Sequence, residues 1–201
     1  MASSIGLTLP NTGLPCYDFD GVDSTPADLI NGVESKLLVV RSQSCQSVFL
    51  IPINRKGKEW IVLNPIVLWS QFSAPSYRLE RLISSEEQEI VVSNLTVDEG
   101  TGILERDLLI YEISLDGVQL VFDEPEFLRL AVPYGDSLFE DHERSTFEFH
   151  ENVKGAYGTG LMYIKEKREI TVDGKSVTLY RSYTWNRTLG QFRGVATAPS
   201  Q

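Results

Sequence analysis

Residues 161–185 read LMYIKEKREITV, then DG, then KSVTLYRSYTW. Two runs rich in β-branched and aromatic residues flank an Asp-Gly pair, which favours a two-residue hairpin loop because both central positions need positive φ. With Asp173-Gly174 in the loop, Ile170 falls opposite Val177, Arg168 opposite Leu179 and Glu166 opposite Arg181. Farther from the loop, Ile164 meets Tyr183 and Met162 meets Trp185. All five pairs share one face, because side chains alternate along a strand. That face is apolar at one end and carries Glu166, Arg168 and Arg181 in the middle. Charge on a largely apolar face is costly unless it is paired or hydrated. The face is therefore expected either to line a ligand cavity or to hold a satisfied internal ion pair. In the first case Arg181 or Arg168 would meet a ligand carboxylate, with Glu166 paired across the strands to Arg181, and Trp185, Tyr183, Met162 and Ile164 would form the apolar wall.

The same period of two runs outward through the chain. Leu37–Arg41, Ser47–Ile53, Glu59–Leu63, Ile66–Phe72, Tyr77–Ile83 and Glu89–Val97 read as short strands, and Asn54–Gly57 reads as a turn. A second Asp-Gly, Asp116-Gly117, predicts a hairpin from Leu108–Leu115 and Val118–Asp123, with Leu115 opposite Val118, Ile113 opposite Leu120 and Tyr111 opposite Phe122. Gln191–Thr197 is expected to return beside Lys175–Trp185. Two helices are expected. Ser24-Thr25-Pro26 looks like a cap for a helix over Ala27–Lys36, and Asp136 like a cap for a short one through Glu143. Residues 1–25, rich in Gly, Pro, Ser, Thr and Asp, read as an irregular arm. Residues 26–201 then form a single, mostly antiparallel β domain: a meander barrel, calycin-like in architecture only, or failing that a two-sheet sandwich.

The chain has 201 residues and a net charge of −10. Residues 145–201 carry eight Lys and Arg against five Asp and Glu, net +3, and residues 1–144 carry ten against 23, net −13. Such acidity argues against general nucleic-acid binding. Two cysteines, Cys16 and Cys45, offer neither a zinc cluster nor a disulfide scaffold, and suggest a reducing, cytoplasmic setting. No apolar run approaches a membrane span.

Two short motifs carry a resemblance without its context. Tyr17-Asp18-Phe19-Asp20-Gly21-Val22 resembles the opening motif of haloacid-dehalogenase-type phosphotransferases, but no buried parallel strand precedes it. Gly135-Asp136-Ser137-Leu138 resembles the nucleophile block of GDSL-type esterases, but no histidine stands at the required spacing. The acidic stretch 123–143 lacks the order of a calcium loop, and Gly155–Gly160 leads into a strand rather than a phosphate-binding helix. No cofactor site is expected. Acid–base chemistry by Glu166, His142 or His150 is the remaining enzymatic reading. The expected function is non-enzymatic: a barrel holding a small apolar or amphipathic ligand, or else a structural subunit of a virion, phage or complex that binds protein partners or copies of itself.

Overall fold

A computed structural model describes residues 16, 19–70, 73–98, 103–134, 137–153 and 160–195, with only the backbone described at 98 and 130–140. Most of the notional N-terminal arm, including Tyr17 and Asp18, lies outside this range. The described residues form antiparallel strands and no helix, so none is long and apolar enough to cross a membrane.

Five strands make the first sheet: β1 (Phe19–Ile30), β2 (Val33–Ser42), β3 (Ser47–Lys56), β4 (Glu59–Val62) and β5 (Ile66–Trp69). Their order is β1-β2-β3-β4, with β5 also pairing to β3. β3 is buried on both faces: Val48 and Leu50 pack into one core, Phe49, Ile51 and Ile53 into another. The second core includes a disulfide between Cys16 and Cys45. The thiols are therefore joined rather than reduced, which corrects the reading of free cysteines. A crosslink closing a loop of this length stabilises by about 3–4 kcal/mol, mainly by restricting the unfolded chain.

The expected helix over Ala27–Lys36 is instead the β1–β2 hairpin. Ile30 pairs with Val33 across Asn31-Gly32, and Gly32 has φ +71°. Asn-Gly is the strongest local hairpin signal, and it outweighs the capping pattern upstream. Pro26 is tolerated because β1 is an edge strand, which has no ladder partner to lose on its outer side.

The second sheet has eight strands in sequence order. They are β6 (Ser76–Glu80), β7 (Glu89–Asp98), β8 (Ile103–Ser114), β9 (Gly117–Tyr134), β10 (Ser137–Glu151), β11 (Met162–Val172), β12 (Lys175–Asn186) and β13 (Gln191–Val195). This is the expected meander, but it does not close into a barrel: β6 and β13 remain its two ends. The short helix expected from Asp136 to Glu143 is likewise absent. Ser137–Arg144 pairs with β9, and β10 also pairs with β11, so ladders on both sides override a weak capping signal.

The β11–β12 hairpin has the expected register throughout, from Val172↔Lys175 to Ile164↔Tyr183, with positive φ at Asp173 and Gly174. The β8–β9 hairpin turns one position earlier than expected, which shifts its pairing by two residues. Its loop is Leu115-Asp116, and Ile113 pairs with Val118 and Tyr111 with Leu120. A bulge at Val121 then brings Phe122 opposite Ile110. The shift leaves Leu115 73% exposed, while Ile113, Val121 and Phe122 are all buried. Three buried side chains outweigh one exposed leucine.

The eight-stranded sheet forks. β9 and β10 stay paired only from Ser137↔Tyr134 to Arg144↔Phe127. Beyond that point β7, β8 and the first part of β9 form one layer, and the rest of β10 with β11–β13 forms another. Ile90, Val92 and Ile113 of the first layer pack against the five-stranded sheet. Val91, Leu108, Ile110 and Phe122 point the other way, onto Ile164, Tyr183, Trp185 and Phe192. Phe122 meets Phe147, Tyr183 and Phe192 edge to face, with centroids 5.7, 5.0 and 6.1 Å away.

The open end of the fork is clipped shut. Leu161 and Met162 donate backbone hydrogen bonds to the carbonyls of Ile83 and Leu82, at 3.1 and 2.8 Å. A side chain at Gly160 would collide with Trp185, whose Cβ would lie 2.6 Å from the added carbon, so the clip requires glycine there. The Leu82–Ile83 segment is itself held by the buried Glu89, whose Oε2 accepts from both amides, at 2.7 and 3.3 Å.

Burial pushes the Glu89 carboxyl up to about 7, against the opposing pull of those amides. A carboxyl raised in the folded state contributes stability at low pH that is lost as pH climbs through about 7. The urea unfolding midpoint should therefore fall between pH 5 and pH 8, and Glu89→Gln, which keeps an acceptor for the two amides, should flatten that slope.

Candidate functional site

The charged middle of the β11–β12 face lies at the crotch of the fork. Glu166 is 1% exposed and accepts three hydrogen bonds: from Ser145 Oγ at 2.7 Å, Tyr183 Oη at 2.7 Å and Arg168 Nε at 2.5 Å. Arg168 extends the network, with Nη2 2.8 Å from Glu124 on β9 and Nη1 3.1 Å from Glu143 on β10. One guanidinium thus bridges three carboxylates: one on the β9 branch, one where β9 and β10 are still paired, and one on its own strand. Burial works against the Arg168 charge, but the hydrogen bond and field of Glu166, with Glu143 and Glu124 behind it, outweigh burial and hold its pKa above the ordinary arginine value. The Tyr183 hydroxyl is likewise raised, first by burial and then by its bond to Glu166, while Arg181 pulls it back down.

All seven residues singled out in the sequence therefore lie on this face, six of them buried or partly so. Ile164, Glu166, Tyr183 and Trp185 are buried, and Met162 and Arg168 are partly so. Arg181 stands opposite Glu166 in the ladder as expected, but its side chain is exposed. The partner of Glu166 that the sequence did not suggest is Arg168, two residues along the same strand. Ser145, Glu143 and Glu124 were also missed, because the segment supplying them reads as a connector rather than as paired strands.

Chemically, the network is saturated. Nε and both Nη atoms of Arg168 are engaged, so a ligand carboxylate would have to displace a resident one. A cleft of about 270 Å³ opens beside it, between β9 and β13, lined by Leu120, Phe122, Glu124, Tyr183, Phe192 and Arg193 among others. Of the two histidines, His150 stacks on Tyr163 and lies 3.0 Å from Glu148, and His142 is exposed. Gly135 and Asp136 of the GDSL-like stretch lie outside the described residues, and Ser137 opens β10.

Past the fork, the still-united sheet continues as a single layer. Its strands are the distal parts of β7–β10 and the hairpin end of β11–β12. No described side chain among 95–97, 103–107, 124–129, 141–144, 167–172 and 175–181 is buried. The ladder puts Leu95, Arg106, Phe127, Arg144, Glu169 and Thr178 in one row on one face, followed by Val97, Leu104, Arg129, His142, Thr171 and Ser176. The opposite face carries Thr96, Glu105, Leu128, Glu143, Ile170 and Val177 in a row. On that side Asp107 is pushed up to about 7, by burial first and then by Glu105, Asp123 and Glu126. Among the described residues, β13 covers only Ser182–Asn186 of β12, so Lys175–Arg181 presents an open edge with Val177, Leu179 and Tyr180 exposed.

Comparison with known protein families, with curated proteins and with solved structures finds no match.

Breaking the buried network should be costly. Glu166→Ala and Arg168→Met each leave an uncompensated charge and should destabilise by about 3–5 kcal/mol in denaturant titrations. Arg181→Ala, at an exposed position, should change stability by less than about 0.5 kcal/mol. Equal losses at all three positions would mean that Arg181 balances Glu166 as much as Arg168 does.

Proposed function

We propose that this protein is a structural, self-assembling subunit that works through the single-layer wing of its eight-stranded sheet. The observation that carries this reading is the wing itself, five to six strands wide, with no described buried side chain on either face and an open edge along β12. An antiparallel sheet ordinarily covers one face with a core. A wing wetted on both faces and bearing Leu128, Phe127, Ile170, Val177 and Tyr180 has the apolar content of a contact surface. Free strand edges of this kind are sites of strand addition or stacking. The Cys16–Cys45 disulfide favours an oxidising environment or an exposed particle surface over the cytoplasm expected from the cysteine count.

Light scattering across a concentration series tests the reading. The measured mass should rise above the 22.6 kDa of one chain as concentration increases. A strict monomer at the highest concentration would refute self-assembly.

Ligand binding is the second reading, and the cleft between β9 and β13 favours it. At about 270 Å³ it is near the lower limit for a small-molecule site, and it places Arg193 and the Tyr183 ring beside Leu120 and Phe122. A medium-chain fatty acid should then raise the melting temperature of the native protein, and Arg193→Ala should abolish the rise. No shift across a carboxylate series would remove this reading.

A further inference from the structure

The signs of the charges on the wing sort by face. Along β8, Glu105, Arg106 and Asp107 alternate, and along β10, Asp141, His142, Glu143 and Arg144 do the same. Because successive side chains of a strand point to opposite faces, one face collects Arg106, Arg129, Arg144 and His142, with Glu169 beside Arg144, and the other Glu105, Asp107, Asp141 and Glu143, with Arg168 on Glu143. In a chain of net charge −10, such a basic face is a local inversion.

The two faces also match in pattern. On the basic face the ladder aligns Arg106, Phe127 and Arg144 across β8, β9 and β10. On the acidic face it aligns Glu105, Leu128 and Glu143 across the same three strands. Each row is an apolar centre between two like charges, and in each row the charges stand two strands apart, about 9.5 Å. The basic row is also concave, since clefts of about 440 and 390 Å³ flank Phe127 and are walled by Arg144, one with Arg106 and Glu126 and the other with His142 and Glu169.

We propose that the wing of one molecule stacks on the wing of a second copy, basic face against acidic face, with Phe127 on Leu128 and Arg106 and Arg144 facing Glu105 and Asp141, while Glu143 stays with Arg168. This rests on the self-assembly reading above and specifies its geometry. Face-to-face sheets pack about 10 Å apart, which suits a Phe–Leu contact with ion pairs on either side. The contact is heterologous, since each molecule uses a different face toward each neighbour. It therefore propagates into open stacks rather than stopping at a symmetric dimer. The charged flanks set the register, because a like-charge stack, acidic on acidic, is repulsive.

Complementary charge reversal tests this. Arg106→Glu with Arg144→Glu spoils only the basic face. Glu105→Arg with Asp141→Arg spoils only the acidic face and spares Glu143, which holds Arg168. All four positions lie outside the buried clusters, so both variants should fold, as circular dichroism would verify. The milder pair Arg106→Gln with Arg144→Gln provides a second basic-face variant. Each reversed variant alone should scatter as a monomer at concentrations where the unaltered protein grows, and the Gln pair should grow less. An equimolar mixture of the two reversed variants should scatter as species larger than either variant alone, since the intact acidic face of one meets the intact basic face of the other and the two reversed faces are again opposite in sign. If the unaltered protein grows and the reversed variants grow equally well, or their mixture stays monomeric, the face-to-face stack is wrong while self-assembly stands. If the unaltered protein never grows, both fall.

Discussion

The architecture depends on how one buried carboxylate is satisfied. Glu166 sits where the eight-stranded sheet divides, and three donors from three strands converge on it: Ser145 from β10, Tyr183 from β12 and Arg168 from its own strand. Through Arg168 the network reaches Glu124 on the β9 branch and Glu143 at the last paired stretch of β9 and β10. A sheet that divides must give up ladder hydrogen bonds at the dividing point, and the groups released there need other partners. The Arg168 cluster supplies charged contacts where the backbone pairing of β9 and β10 stops. Its energetic character is that of a register device: an apolar replacement of similar shape would pack comparably, but it would not determine where the branches part.

Above the fork, the two layers enclose the aromatic core of Phe122, Phe147, Tyr183, Trp185 and Phe192. Below it, no described side chain of the unsplit sheet is buried. These two regions meet different demands with the same strands. Above, alternation separates buried side chains of one core from those of another, so β7 and β8 are apolar on both faces. Below, the same alternation separates positive from negative. One pleat rule therefore yields a packed sandwich at one end and a bipolar surface at the other.

How much of this is legible in the sequence depends on whether a local signal competed with a tertiary one. The β11–β12 hairpin is legible in full, because Asp173-Gly174 sets the loop and the flanking pattern agrees with it. At Asp116-Gly117 the same dipeptide misleads by one residue, since burying Ile113, Val121 and Phe122 together outweighs the preferred loop. At Asn31-Gly32 the hairpin signal was present but masked by a helix-cap pattern around Pro26. The Glu166 site is half legible. Its face and residues follow from alternation, but the partner of Glu166 depends on β9 and β10 approaching from outside the hairpin. A segment with two prolines and seven carboxylates gives no alternating signal strong enough to announce that.

Strict sequence order in the larger sheet has a kinetic consequence. Every strand from β6 to β13 lies beside its chain neighbour, so each pairing closes only a short loop and the sheet can zip outward from any of its turns. The layers above the fork cannot close so early, because Phe122 and Tyr183 come together only after the three intervening connections of the meander have formed. Such a chain would acquire its ribbon first and its interior last, and would pass through an intermediate stage as a broad, flat, uncovered sheet.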